Sequence, residues 1–92
     1  MSNARAHVIV SGIVQGVYFR ANTREEAKRL SINGWVKNKH DGTVEIVAEG
    51  DTERIERLIG WCHKGPPGAL VRDVAIGWGE FKGEFKDFSV RY

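Results

Sequence analysis

Two short runs in strand rhythm, Gly34-Trp35-Val36-Lys37-Asn38 and Thr43-Val44-Glu45-Ile46-Val47-Ala48-Glu49, flank the turn Lys39-His40-Asp41-Gly42. Asp-Gly between alternating apolar runs is among the strongest short hairpin signals. A hairpin at this point lies near the middle of a 92-residue chain and limits what can surround it. Val44, Ile46 and Ala48 fall on one face of the second strand; Thr43, Glu45 and Glu49 fall on the other, so one face is covered and the other wetter.

Outside the hairpin the pattern is the same on both sides, a helix and then a strand. Upstream, His7 to Ile13 has the β-branched rhythm of a first strand, and Thr23 to Ile32 reads as a helix. Thr23, Ala27 and Leu30 form its apolar stripe, Glu25 and Glu26 stand in its first turn, and Asn33-Gly34 supplies its stop. Downstream, Gly50-Asp51 ends the hairpin and caps a second helix from Thr52 to His63. Its stripe is Ile55, Leu58, Ile59 and Cys62, and Gly65-Pro66-Pro67-Gly68 breaks it. Ala69 to Trp78 is a fourth strand in which Val71 and Val74 are out of phase, so a bulge near Arg72-Asp73 is expected. Phe85 to Tyr92 is a last strand, with Phe88, Val90 and Tyr92 on one face. The order β-α-β-β-α-β with one extra strand predicts an α+β, ferredoxin-like split βαβ sandwich, with two helices on one face of an antiparallel sheet. Residues 1–92 are one domain, since a chain this short has no room for two cores.

Composition excludes several functions. The formal net charge of +2 and the interspersed acids and bases give no basic arm for nucleic acid. Cys62 is the only cysteine, so neither an internal disulfide nor a Cys-based zinc set can form. His7, His40 and His63 lack metal-ligand spacing, so no metal and no cofactor is expected. The polar N-terminus is no signal peptide, and no apolar run reaches membrane-spanning length, so the expected compartment is the cytoplasm.

In the predicted topology the first two strands run parallel with the third between them. The end of strand two then lies at the same sheet edge as Gln15-Gly16-Val17-Tyr18-Phe19-Arg20, the loop between strand one and helix one. Asn38 shares a face with Val36, which points it to the helix-covered side; the Gly65–Gly68 loop returns to this edge as well. A strand–loop–helix junction offers backbone N–H groups to an anion, and Arg20 adds a planar fork of donors. Read by themselves, Gly16 also serves a tight turn, Arg20 a solvated helix start, and Asn38 the hairpin turn. Lys37, Lys39 and His40 stand at the rim, as anion-steering groups or solvated turn residues. The edge lacks a carboxylate pair, a Ser or Cys nucleophile with a His base, and a metal set. Such a site holds an oxyanion and orients a water, which suits hydrolysis of an already activated phosphoryl group.

Gly12-Ile13-Val14-Gln15-Gly16-Val17-Tyr18-Phe19-Arg20 resembles the acylphosphatase signature G-x-V-Q-G-V-x-F-R, and Gly34 to Glu45 resembles the family's second signature, G-W-V-x-N-x-x-D-G-x-V-E. The Gly65-Pro66-Pro67 segment and the terminal aromatic Tyr92 are similar to the family too, so the likeness covers nearly the whole chain. It implies a small, monomeric, metal-independent hydrolase that splits acyl phosphates into a carboxylate and inorganic phosphate. It further implies that Arg20 and the amides of Gln15, Gly16, Val17, Tyr18, Phe19 and Arg20 bind the phosphoryl group, that Asn38 orients the water, and that phosphate or sulfate occupies the loop. Two rival readings remain. One is a base-stacking module using Trp35, Trp78 and Phe81, which Glu45 and Glu49 disfavour by repelling phosphates. The other is the corresponding domain of a hydrogenase-maturation carbamoyltransferase, which the absence of paired CxxC motifs disfavours.

Overall fold

The computed structural model describes residues 2–92. Its elements are β1 (Asn3–Ile13), α1 (Phe19–Arg29), β2 (Asn33–Asn38), β3 (Val44–Asp51), α2 (Thr52–Lys64), β4 (Leu70–Gly79) and β5 (Phe88–Arg91). The five strands form one sheet in the order β4-β1-β3-β2-β5. β3 lies between β1 and β2, as the split βαβ arrangement requires. The sheet is mixed, not antiparallel throughout: β5 adds to β2 in parallel, with Val36 opposite Val90. The reason is topological. β4 takes the free edge of β1, so the last strand is left with the free edge of β2, and it arrives there pointing the same way.

Alternation along the strands decides the core. Ala6, Val8 and Val10 on β1, Val36 on β2, and Val44, Ile46 and Ala48 on β3 are buried on the helix-covered face. They pack against Phe19, Ala27 and Leu30 of the first helical segment and Ile55, Leu58, Ile59 and Cys62 of α2. Complete burial of one such aliphatic side chain stabilises by about 1.5–3 kcal/mol.

Several boundaries move for local reasons. α1 starts at Phe19 rather than Thr23, because Phe19 is itself a core residue and its carbonyl accepts the Thr23 hydroxyl at 2.7 Å. Its first turn therefore holds no acidic residue. The stop comes at Ser31, in the left-handed region with φ 57°, ahead of Asn33-Gly34, which already belong to β2. Asp51 occupies the N-cap position of α2 without a side-chain cap; the Thr52 N–H and hydroxyl donate to the Ser2 carbonyl, each at 3.0 Å. β5 begins at Phe88, so Phe85 to Asp87 lie outside it. The bulge falls where the phase of Val71 and Val74 put it. Ser11 faces Asp73 and Gly12 faces Val71, leaving Arg72 as the extra residue.

The outer sheet face is drier than the alternation suggested. Glu49 is only 2% exposed, because residues 80–87 fold across it. Its carboxylate accepts the Lys82 N–H at 2.7 Å, the Glu84 N–H at 3.2 Å and the Arg5 guanidinium at 3.3 Å. Burial opposes that charge, yet the N–H donors and Arg5 win and hold the carboxyl below its ordinary value of 4.5. Further along the same face, the Trp35 ring carries the Arg91 guanidinium at 4.6 Å and the Lys37 ammonium at 5.6 Å.

Candidate active site

β1 ends at Ile13 and α1 begins at Phe19, leaving five residues to reverse the chain. Val14 and Phe19 are both 1% exposed and pin the two ends of that loop into the core. The Phe19 ring meets Trp61 of α2 with centroids 5.4 Å apart. Gly65 closes the same contact: a Cβ there would lie 2.9 Å from the Phe19 ring, and φ of 71° suits glycine. The loop is thus held from below by two apolar side chains and from the side by the chain leaving α2.

Between these anchors Gly16 (φ 75°) and Tyr18 (φ 61°) are both in the left-handed region. For tyrosine this costs about 1–2 kcal/mol. The Asn22 side-chain amide and backbone N–H both donate to the Tyr18 carbonyl, at 2.9 and 3.1 Å, and so fix it. Tyr18 is also the N-cap of α1 and gives it no side-chain cap. Among the described residues, no turn, loop or cap hydrogen bond uses the N–H of Gly16, Val17, Tyr18, Phe19 or Arg20 as donor. A row of such N–H groups turned by alternating backbone conformation, at the positive end of a helix, is an anion cradle.

A cavity of about 570 Å³ opens beside this loop, lined by Gly16, Tyr18, Phe19 and Arg20 and, from β2, by Asn38. Arg20 and Asn38 therefore share one site, as the predicted topology required. Arg20 is oriented rather than buried. Its guanidinium lies over the Tyr92 ring with Cζ 4.7 Å from the centroid, and Nη1 donates to the Arg91 carbonyl at 3.5 Å. The remaining N–H groups of the fork stay available. Asn38 is half-buried, and its Oδ1 is the buried side-chain oxygen among the described residues that finds no partner. A buried carbonyl oxygen without a donor is unusual, and at a cavity wall it marks a place for a ligand or a water.

Gln15 and Val17 do not line the cavity. Val17 packs against the core and stands beside the Gly65–Gly68 loop, 3.8 Å from where a Cβ on Gly68 would lie. The Gln15 side chain reaches the β2–β3 turn, where Nε2 donates to the carbonyls of Lys39 and Thr43 at 2.8 and 3.0 Å. That turn runs from Lys39 to Thr43, one residue longer than expected because β3 starts at Val44, and is closed by the Gly42 N–H on the Lys39 carbonyl and the Lys39 N–H on the Thr43 carbonyl. Asp41 braces it by accepting the Thr43 hydroxyl and N–H at 2.6 and 3.0 Å, bonds that also lower its pKa. Lys37 pairs with Glu45 at 3.7 Å. Among the described residues no three His, Cys, Asp or Glu side chains gather as a metal set.

Four cavity residues were not singled out from sequence as part of the site: Ala21, Arg24, Glu25 and Val90. Arg24 stands one helical turn beyond Arg20, a spacing that puts both on one side of α1. Val90, like Tyr92, arrives only through the parallel pairing of β5, in which Val90 follows Val36.

This chain and this geometry have relatives among known proteins. Residues 6–90 match the family model described as Acylphosphatase. A protein of Pelotomaculum thermopropionicum named acylphosphatase is 53% identical over 92 residues, covering 100% of both chains. The structure of an acylphosphatase from Coxiella burnetii superposes with a TM-score of 0.92 at 43% identity, covering 97% of this chain and 93% of that one. Acylphosphatase from Bacillus subtilis gives 0.93 at 35% identity, over 97% and 99%.

Proposed function

The chain belongs to the acylphosphatase family, and on that premise we propose that Arg20 and the loop N–H groups hold the phosphoryl group of an acyl phosphate while Asn38 orients the water that attacks it. The enzyme is an acyl phosphate phosphohydrolase. The observation that carries the assignment of roles is the set of unengaged N–H groups from Gly16 to Arg20, beside a cavity shared by Arg20 and Asn38.

The proposed chemistry needs little beyond positioning. The N–H groups of residues 15–20 and the Arg20 fork neutralise the equatorial phosphoryl oxygens, where charge collects in the transition state. The otherwise unpartnered Asn38 Oδ1 accepts a hydrogen from the water and aims its lone pair at phosphorus. A water O–P bond forms as the P–O bond to the acyl oxygen breaks, and the water proton passes to a phosphoryl oxygen of the substrate. The leaving carboxylate needs no general acid, since its conjugate acid has a pKa of about 4. No protein nucleophile and no metal takes part in this scheme. The proposal extends to a monomer acting in the cytoplasm without nucleic acid as partner; the single free, buried thiol fits a reducing compartment.

Acetyl phosphate is the test substrate. We expect turnover that survives dialysis against EDTA and is inhibited competitively by inorganic phosphate. Turnover restored only by a divalent metal, or purely noncompetitive inhibition by phosphate, would overturn the scheme.

A further inference from the structure

β1 and β2 are not neighbours. With β3 between them they stand about 10 Å apart, and the ladder that relates them ends at Val44, which faces both Val10 and Asn38. Beyond Val44 the sheet no longer fixes the loop after β1 against the turn after β2, and the two halves of the proposed site lie on these two segments. One side chain crosses the gap. Gln15 directs both Nε2 hydrogens across the end of β3, to the Lys39 and Thr43 carbonyls. Those carbonyls also accept the two backbone bonds of the turn, from Gly42 at 3.2 Å and from Lys39 at 2.8 Å. Residue 39 is therefore held at both its N–H and its carbonyl, directly after Asn38.

Asn38 needs that support. Its Oδ1 has no partner in the protein, so its aim depends on where its backbone is held. We infer that Gln15 is a positioning residue for the hydrolysis, acting through the Lys39–Thr43 turn to set Asn38 against the phosphate loop, a role that rests on the proposed part of Asn38 in the reaction. A glutamine suits the place because both groups it meets are acceptors; a carboxylate would be repelled, and an apolar side chain would leave the gap unbridged.

The experiment compares wild type, Gln15→Met and Gln15→Glu on acetyl phosphate between about pH 5 and 8, with inorganic phosphate as competing ligand and thermal melting as the fold control. In Gln15→Met kcat falls about tenfold or more, while the inhibition constant of phosphate stays within about twofold, because the loop N–H groups are intact. Gln15→Glu is as poor at pH 8. On acidification its protonated carboxyl regains one donor, so its activity relative to wild type rises, whereas that of the methionine variant stays flat. Should the methionine variant not fold, the acid recovery of the glutamate variant decides alone. Wild-type kcat in Gln15→Met, a flat ratio for Gln15→Glu, or phosphate binding that weakens in step with kcat would each overturn the inference, the last by making the Gln15 side chain a ligand. Failure of the wild type itself to hydrolyse acetyl phosphate is a separate result, which removes the reading of the site.

Discussion

The Tyr92 ring stacks on the Arg20 guanidinium at 4.7 Å although Tyr92 is 98% exposed. An aromatic ring that open is held by its partner rather than by the core. A cation over a ring at such a site is worth about 0.5–1 kcal/mol. Here that energy confines the arginine fork to one side of the cavity, and the Arg91 carbonyl confines it from another direction.

For Tyr92→Ala we therefore expect weaker phosphate binding, by about two- to fivefold, with little change in melting temperature; Tyr92→Phe should behave as wild type. Arg20→Lys keeps the charge and loses the fork, so kcat/KM should fall on the order of 100-fold or more with the fold retained. Near-normal hydrolysis by Arg20→Lys would remove Arg20 from the phosphoryl site.

Asn38→Ala should separate activity from stability. Turnover should fall by about 100-fold, as for other preorganised polar groups, while phosphate still competes. Because Oδ1 has no partner within the protein, its removal breaks no hydrogen bond of the fold. The melting temperature should hold. A marked drop with normal kcat would make Asn38 a turn residue only.

Much of this was legible from local pattern. The Asp41-Gly42 turn, the α2 stripe and the phase slip between Val71 and Val74 each depend on neighbouring residues, and each has its counterpart in the structure. What sequence did not give depends on distant chain. Nothing near Glu49 announces that residues 80–87 will cover it, and nothing in Phe88 to Tyr92 specifies a parallel neighbour. Consequently the joint placement of Arg20 and Asn38 could be reasoned from topology, whereas the arrival of Val90 at their cavity could not. Gln15 shows the same limit. Its backbone role follows from the loop, but the targets of its side chain lie 24 and 28 residues away.

Acid should weaken the fold through Glu49. Its pKa is lower in the folded chain than the ordinary 4.5, so its contribution is complete above that value and is lost as pH falls through the folded value. Glu45 behaves alike, lowered chiefly by its hydrogen bond with His7. Glu49→Gln should destabilise by about 1–3 kcal/mol near neutrality, since one acceptor of the Lys82 and Glu84 N–H groups becomes a donor. It should also flatten the decline below pH 4.5 measured by denaturant midpoint. An unchanged acid profile would clear Glu49 of that role.

Cys62, on the buried face of α2, is 1% exposed, and burial pushes its thiol pKa up to about 12. An aromatic disulfide reagent should leave the native enzyme unlabelled and active, then take one thiol per chain in denaturant. Rapid labelling of the native protein would contradict the packing of α2 on the sheet.

The pairing of Arg5 with Gly79 has a kinetic consequence. β1, an interior strand between β4 and β3, finds one partner near residue 50 and the other near residue 75, and only the β2–β3 hairpin can zip up locally. Closing such long loops must precede the contacts that reward it, which places folding in the millisecond-to-second range rather than among fast helical proteins. The loop of residues 14–18 hangs directly from β1, so its shape cannot be learned early. On dilution from denaturant, hydrolysis should return with the rate constant of the slowest tryptophan fluorescence phase, and helix formation seen by circular dichroism should run ahead of both.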